Sequence, residues 1–556
     1  MARKVPTTFV PLLALILYLA CFYHHLFSQP PPVSSVNLLS PPLTATTNAN
    51  SPTTIIPQEQ EQEKQSHDGV LSTVSVLLPA WEILVILMPE NPMPPDYDTG
   101  SYICLFPNND TSPAKPSGIL QFPSRATFKC DLPERLRRRM PFPQPVLTTS
   151  PENLPERNTS APELLRWNFL VYESLSTETD VVLFVKGLNK RQGVNRTPKE
   201  LRCVFGDAVN GVRTAITSSI QEVFRCRLPE GNALSSSDNK PVKISLEIQG
   251  QNLVVPSVAY YTPPRKVAPE QPKSQLCACT MVYNAAKYLK EWVVYHSEIG
   301  IEKFILYDNG SDDDLERVVA EIVDQGYNVS TSFWLWPKMQ EAGFSHCAAK
   351  AKDSCTWMVY VDVDEFIYSP SWLDLSKTSY QMLQSLLPKK SQIGGVGEVM
   401  INCYEFGPSN QKSNPVNGVM QGYNCRRKAE NRHKSIVLLD AIDELLLNVI
   451  HHFQLKKGYK VKKAELQHAV VNHYKFQAWS EFQIKFRRRV SAYVVDWMEE
   501  MNPKSKDRTP GLGYAAVEPQ GWPEKFCEVY DNRLKDLTRR WFGTKSESGY
   551  LMAWQI

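Results

Sequence analysis

Trp357-Met-Val-Tyr-Val-Asp362-Val-Asp364-Glu365-Phe366 decides how the rest of the chain reads. Met358 to Val361 is a mostly apolar run that enters a carboxylate cluster. A short, continuous apolar run predicts a buried strand. Asp362 and Asp364 stand two residues apart, so on an extended chain they point the same way. Two carboxylates on one side of a strand end repel each other unless a cation lies between them. Oxygen ligands of this type suit Mn²⁺ or Mg²⁺ bound together with substrate phosphates.

Upstream, the texture from Gln275 onward is an alternating series. Leu276 to Val282 predicts a strand, and a helix follows with Leu289, Trp292, Val293 and Ile299 on one stripe and Gly300 as its stop. Lys303 to Tyr307 predicts the next strand, ending in Asp308-Asn-Gly-Ser-Asp312-Asp-Asp314. A second helix carries Leu315, Val318, Val319, Ile322 and Val323 and stops at Gly326; a third strand runs from about Val329 to Leu335. A helix over Gln340 to Cys355 leads into the opening stretch. Alternating strands and helices imply a largely parallel α/β sheet with covered faces. Ligands of such sheets bind outside the carboxyl ends of the strands, where Asp308 and Asp362 both stand. A dinucleotide fold would need G-x-G-x-x-G after the first strand, but Val282-Tyr-Asn284-Ala-Ala-Lys287 stands there. No G-x-x-x-x-G-K-[S/T] occurs either. A carboxylate pair without a phosphate-cradling loop points to a metal that neutralises a departing nucleoside diphosphate. That chemistry suits a sugar-nucleotide transferase.

Residues 70–264 read differently: short β-type runs broken by Pro, Gly and Asn, such as Val181 to Val185, Leu201 to Phe205, Glu222 to Leu228 and Val242 to Ile248. Closely spaced strands with turn signals predict an all-β, sandwich-like domain. An internal duplication shows in Tyr102-Ile-Cys104-Leu-Phe106 with Phe128-Lys-Cys130-Asp-Leu-Pro133, and again in Leu201-Arg-Cys203-Val-Phe205 with Phe224-Arg-Cys226-Arg-Leu-Pro229. The simplest physical reading is two disulfides, Cys104–Cys130 and Cys203–Cys226, each joining neighbouring strands. Trp167, Tyr172, Tyr260 and Tyr261 could form a sugar-stacking platform or fill a β core. Residues 265–274 are a proline-containing linker, and residues 275–556 form the α/β domain.

The 556-residue chain carries Lys+Arg 61 against Asp+Glu 58, a net charge of +3 that argues against nucleic acid as a partner. Arg3 and Lys4 precede an apolar run from about Phe9 to Phe27, with no small-residue cleavage site after it. Residues 1–28 therefore predict a cytosolic tail and a retained transmembrane signal anchor, with the bulk of the chain lumenal. Residues 29–69, rich in Pro, Ser, Thr, Asn and Gln, predict a disordered stem. Of 12 cysteines, Cys21 falls in the anchor, leaving an odd number and so a free or intermolecular thiol. Cys277-Ala-Cys279 lacks a partner pair at zinc spacing, which excludes a zinc site. Asn109, Asn158, Asn195 and Asn328 head N-glycosylation patterns; Asn309 heads another that is expected to lie in the active site.

Tyr283-Asn284, then Lys290-Glu-Trp-Val-Val-Tyr-His296, Tyr307-Asp-Asn-Gly-Ser-Asp312 and Val361-Asp-Val-Asp-Glu-Phe366, taken together, resemble glycosyltransferase family 92. The anchor, stem and β domain resemble the plant β-1,4-galactan synthases of that family. The resemblance implies a GT-A catalytic fold, a UDP-galactose donor, Mn²⁺ (or Mg²⁺), an inverting reaction and a β-1,4-galactan acceptor. It also implies a single-pass type II protein of the Golgi membrane. A homodimer is plausible given the odd thiol. By that likeness Asp362 and Asp364 hold metal and diphosphate, while Tyr283, Asn284, Asp308 and Asn309 lie on the donor. The basic run Arg426-Arg-Lys428, Arg432, His433 and Lys434 is either a solvated loop or a contact to diphosphate or anionic polysaccharide, with Lys434 the donor-binding candidate. A distant histidine completes such a metal site. His473 is chosen, against its reading as a core histidine, with His451 and His452 as competitors. Inversion needs a base, for which Glu405 is preferred, followed by Glu398, Glu430 and Asp443. Rival expectations are a same-fold transferase with another UDP-sugar or a glycoprotein acceptor, and a non-catalytic carbohydrate-binding scaffold.

Overall fold

The computed structural model describes residues 71–138, 140–149, 162–189, 195–231, 241–263, 272–337, 340–388, 395–484, 517–547 and 549–556. The anchor, the stem, Asn158 and most of the linker lie outside the described residues. Among those described, no helix is long and apolar enough to cross a membrane.

The β-rich half is a tandem of two rolled sheets. The first holds β1 (Thr73–Leu77), β2 (Glu82–Leu87), β3 (Tyr102–Leu105), β4 (Thr111–Leu120), β5 (Arg125–Asp131), β6 (Val146–Thr148) and β7 (Leu165–Arg166) in the order β6-β3-β4-β5-β2-β1-β7. The second holds β8 (Leu170–Ser176), β9 (Asp180–Lys186), β10 (Leu201–Phe205), β11 (Val212–Ile220), β12 (Val223–Arg227), β13 (Val242–Ile248), β14 (Leu253–Val254) and β15 (Tyr260–Tyr261). Its order, β14-β13-β10-β11-β12-β9-β8, repeats the first strand for strand, with β8 to β13 in place of β1 to β6. The duplication seen in the cysteine motifs is therefore a duplication of topology.

Each sheet folds over along its long strand. Register shifts between Pro116 and Gly118 on β4, and between Ile216 and Ser218 on β11. Such bulges bend a strand and increase its twist. The expected disulfides Cys104–Cys130 and Cys203–Cys226 form, but they do not join neighbouring strands. Each links strands separated by the folded one, β3 to β5 and β10 to β12, and so closes the roll. Each roll has its own apolar core, one around Phe106, Phe128 and Leu147, the other around Phe205, Phe224 and Leu246.

In the α/β half, β16 (Ser274–Val282), β17 (Lys303–Asp308), β18 (Val329–Phe333) and β19 (Cys355–Tyr360) are parallel, in the order β18-β17-β16-β19. Between them run α1 (Ala286–Glu298), α2 (Leu315–Asp324) and α3 (Gln340–Ala351). The last helix ends at Ala351, short of the expected Cys355, which instead opens β19. Further strands are β20 (Glu365–Tyr368), β21 (Val396–Glu405), β22 (Cys425–Arg426), β23 (His433–Leu438), β24 (Asn448–Val449), β25 (His452–Phe453), β26 (Lys460–Lys463) and β27 (Val470–His473), followed by β28 (Val529–Tyr530), β29 (Gly543–Ser546) and β30 (Gly549–Met552). The sheet continues past β19 as β23-β21-β27-β20, and there antiparallel pairings enter. The sheet is thus wholly parallel from β18 to β19 and mixed beyond, where β21 still pairs in parallel with β26 and β27.

Both faces of β16, β17 and β19 are largely buried, which is why they read as mostly apolar runs, whereas the edge strand β18 is partly exposed and polar. Leu276, Ala278, Phe304, Leu306 and Val359 face the core shared with α1 and α2. Cys277, Cys279, Ile305, Tyr307 and Met358 face α3 and residues of both β-rolls. The period-2 alternation of a strand puts Cys277 and Cys279 on one face. There they bond to Cys355 on β19 and Cys347 on α3. Cys425 pairs with Cys527. Cys403 is the free cysteine among the described residues, and it is buried, out of reach of a second chain.

Candidate active site

The sheet reverses its winding between β16 and β19. The carboxyl ends of those strands deliver Tyr283-Asn284 and Asp362 to one edge, and β17 delivers Asp308 beside them. Crevices at such switch points are where open α/β sheets bind ligands. The loops there are held by their own side chains. Asp308 Oδ1 accepts from Ser311 N at 2.9 Å and Ser311 Oγ at 2.7 Å. Asn284 has φ +48° and accepts from Asp312 N at 2.9 Å. Asp313 Oδ2 accepts from Ala286 N at 2.9 Å, at the start of α1. Asn309 Nδ2 donates to Trp334 O at 2.6 Å, which turns this amide inward and away from the role of glycan acceptor.

The D-x-D stretch is not extended. β19 ends at Tyr360, and Glu365 N donates to Asp362 O at 3.0 Å, closing a turn. The turn separates the two aspartates that an extended strand would have aligned. Asp362 meets Lys434, with Nζ 3.0 Å from Oδ2, and His451, with Nε2 3.7 Å away. Asp364 meets His473, whose Nε2 is 3.8 Å from Oδ1. Glu365, whose role the sequence left blank, lies between these pairs. Its Oε1 is 2.7 Å from Lys434 Nζ and 3.3 Å from His473 Nδ1. Its Oε2 accepts from Asp362 N at 2.8 Å.

Strand pairing explains the meeting. Glu365 on β20 stands opposite His473 on β27, and His473 stands opposite Glu405 on β21. Residues far apart in sequence thereby form one row across three strands. Asp364, Glu365 and His473 offer ligand atoms that all lie within 4.8 Å of one another. The Asp364 carboxylate and the His473 imidazole are donors that suit a divalent cation of the Mn²⁺ or Mg²⁺ kind. A carboxylate on the second nitrogen of a ligating histidine fixes its tautomer and orientation. Glu365 stands in that place behind His473, leaving Nε2 to face Asp364.

Burial shapes the charges. It pushes the Glu365 carboxyl up to about 8, against the pull of Lys434. Burial alone would lower Lys434, but Asp362 and Glu365 outweigh it and hold the ammonium above its usual range. Burial, then Lys434, drive His451 well below the usual histidine range. The neutral imidazole accordingly accepts from Lys434 Nζ, at 2.5 Å.

The preferred base, Glu405, is 1% exposed and surrounded by donors: Arg427 at 3.3 Å, Asn431 at 3.1 Å and Lys475 at 2.5 Å. Two cations and an amide thus occupy three of its roughly four acceptor positions. The other carboxylates fare no better as free bases. Glu398 is buried behind His452. Glu430 binds the Asn402 amide. Asp443 Oδ1 accepts from Leu445 N at 3.0 Å in a turn. Of the basic run, Arg426 is spent on Asp531 at 2.7 Å and Arg427 on Glu405, while Lys434 reaches the cluster. The supposed sugar platform dissolves too. Tyr172, Trp167 and Tyr260 are 1%, 7% and 6% exposed, and Tyr261 is half-buried.

The model of a family described as Glycosyltransferase family 92 matches residues 273–509. Family 92 proteins from several plants are similar over both halves of the chain. One from Oryza sativa subsp. japonica is 41% identical over 398 residues, covering 68% of this chain and 67% of its own. One from Ricinus communis is 42% identical over 406 residues, covering 70% and 69%. One from Arabidopsis thaliana is 42% identical over 398 residues, covering 70% and 69%. Among solved structures, a mannosyltransferase from Pyrobaculum calidifontis in complex with GDP-Man and Mn²⁺ covers 25% of this chain and 39% of its own. It is 14% identical with a TM-score of 0.19, an overlap too small to carry an argument.

Proposed function

The chain belongs to glycosyltransferase family 92, and on that footing we propose that it is an inverting, metal-dependent galactosyltransferase that extends β-1,4-galactan from UDP-galactose. The observation that carries the metal-dependent reading is the meeting of Asp364, Glu365 and His473 beside the Lys434–Asp362 pair. Asp364 and His473 would hold the cation, with Glu365 orienting the imidazole. The bound cation would supply charge neutralisation for the departing diphosphate. Lys434 adds a fixed positive charge on the same edge, suited to phosphate oxygens. Tyr283, Asn284, Asp308 and Asn309 would line the nucleoside side. The parallel strand order supports a GT-A domain. Galactose, galactan and a lumenal Golgi setting rest on the resemblance of the anchor, stem and β-rolls.

In the reaction the acceptor hydroxyl oxygen bonds to the anomeric carbon from the far side. The bond to the diphosphate breaks, its electron pair leaves with UDP, and an α linkage becomes β. The test is a panel of UDP-sugars against defined oligosaccharides, with Mn²⁺ and with chelator. Transfer of galactose to β-1,4-galacto-oligosaccharides, abolished by chelation and by Asp364→Asn, is expected. Full turnover under exhaustive chelation would remove the metal from the account. Preference for another sugar would remove galactose.

A further inference from the structure

Glu405 stands beside the metal cluster, on the same face of the sheet. Lys434 on β23 is paired with Ile401 on β21, and alternation along β21 puts Cys403 and Glu405 on the side of Ile401. Glu405 is paired in turn with His473, and His473 with Glu365. Paired residues have their Cβ atoms about 5 Å apart on one side of a sheet. Glu365 does meet Lys434 and His473 on that side, at 2.7 Å and 3.3 Å. The row Glu365, His473, Glu405 therefore leads directly out of the metal cluster.

Arg427 continues this row. Its backbone N donates to Glu405 O at 2.9 Å, and its Nη1 lies 3.3 Å from Glu405 Oε2. The guanidinium is thus next but one to His473 across the strands, on the face that carries the cluster. Lys475 Nζ and the Asn431 amide take Glu405 Oε1. Lys475 and Glu405 are both buried and already neutralise each other, so Arg427 brings a surplus positive charge. Its side chain is 39% exposed, and among the described residues its other N–H groups donate to no partner. The planar fork of an arginine suits a phosphate, which it can hold through two N–H groups at once.

The order across the sheet says which phosphate. From β17 it runs through β16, β19 and β23 to β21. The proposed nucleoside contacts Asp308 and Asn284 lie at the ends of β17 and β16, Asp362 and Lys434 come next, and Arg427 lies beyond them beside β21. A diphosphate that starts at the nucleoside and crosses the metal cluster reaches Arg427 with its far end, the β-phosphate.

We infer that Arg427, oriented by Glu405, is a second clamp on the leaving group, donating its remaining N–H groups to β-phosphate oxygens of the bound nucleoside diphosphate. When the bond between the anomeric carbon and the β-phosphate oxygen breaks, the electron pair stays on that oxygen. The guanidinium faces the added charge and gives up no proton. The inference rests on the transferase reading above.

The experiment uses the full chain with Mn²⁺ and compares UDP with UMP by calorimetry, since the two differ by the β-phosphate alone. Arg427→Ala should weaken UDP by about 10- to 100-fold, the loss of charge-assisted hydrogen bonds, and leave UMP within about twofold. Arg427→Gln keeps an N–H for Glu405 without the charge and should show the same selective loss; it decides the matter if Arg427→Ala binds neither nucleotide through misfolding. Glu405→Gln, which takes the anchoring charge from the guanidinium, should weaken UDP selectively and by less. UDP affinity at the parent value in Arg427→Gln overturns the clamp. So does an equal fall for UMP and UDP, the mark of a residue that only supports the fold. A parent chain that binds neither nucleotide with Mn²⁺ is a different result: it fails the transferase reading itself, and the clamp with it.

Discussion

Lys434 is 5% exposed and faces Asp362, Glu365 and His451. A buried ammonium among carboxylates holds only while each charge has its partner. Lys434→Ala leaves Asp362 and Glu365 without the ammonium they share, and a buried polar group left unsatisfied costs about 1–3 kcal/mol. A denaturant titration should show that loss, together with loss of turnover. Glu365→Gln is a milder probe. It removes the carboxylate behind His473 Nδ1, and loss of such a partner lowers metal affinity by about 10–100-fold. Calorimetric Mn²⁺ titration should show that fall, while His473→Ala should abolish binding.

Glu291, in the middle of α1, is a different kind of buried acid. Its oxygens accept from Val419 N at 2.8 Å and Met420 N at 3.0 Å. Gly418 permits the approach, since a Cβ there would lie 2.5 Å from the carboxylate. Burial pushes Glu291 from 4.5 up to about 8, with the two amides opposing. The sign follows from proton binding: the folded state holds this proton more tightly than the unfolded one. Its contribution is fully present below about pH 4.5 and is lost as pH rises through about 8. Thermal melts should therefore weaken across that window. Glu291→Gln should flatten the slope while costing about 1–3 kcal/mol for the amide left without an acceptor.

At the scale of elements, β16 shows what the sequence makes legible. Its apolar run, the capless α1 stripe and the stop at Gly300 (φ +123°) are local signals, and local physics fixes them. The metal-ion candidates were half legible for the same reason. Asp364 follows a buried run, and His473 ends one, but that they meet depends on the β20–β27 pairing. Glu365 carried no separate signal because its role is set wholly by what lies across the sheet. The place of Asp362 could not be read from its spacing, because a two-residue spacing has a fixed meaning only on an extended chain and the chain turns there, toward Lys434. The Cys277-Ala-Cys279 pair was legible as excluding zinc but not as a staple, since its partners come from β19 and α3. Those bonds close stretches of 78 and 68 residues. Removing either by Cys→Ser at Cys355 or Cys347 should lower stability by about 2–5 kcal/mol, read as a fall in midpoint under non-reducing denaturation.

For the whole molecule, the question is whether the β-rolls are a detachable module or part of the catalytic body. An accessory module on a linker would share little apolar surface with its enzyme. Here one core contains Val76, Leu84 and Ile86 of the first roll, Tyr172, Val182 and Phe184 of the second, and Cys279, Tyr307, Trp334 and Trp336 of the α/β half. Tyr172 lies 5.2 Å from the Trp336 ring and 5.9 Å from that of Trp334. Gly118, at φ +128°, lets the Phe333 ring against β4, where a Cβ would stand 2.5 Å from it. The polar contacts reach the loop that carries His451 and His452. Gln221 Nε2 donates to Asn448 O at 2.9 Å, and Arg225 Nε donates to Glu444 O at 2.6 Å. Cutting the chain before residue 272 would strip these contacts and expose Trp334, Trp336 and Tyr307, a large apolar patch of the kind that leads to aggregation. Residues 272–556 expressed alone should therefore be insoluble or unable to bind UDP, whereas the chain from residue 71 onward should be soluble and bind it. Gln221→Ala tests the same coupling without truncation. Hydrogen exchange should quicken in residues 443–454 while the melting temperature holds. A soluble, UDP-binding 272–556 fragment would show the rolls to be a separable attachment after all.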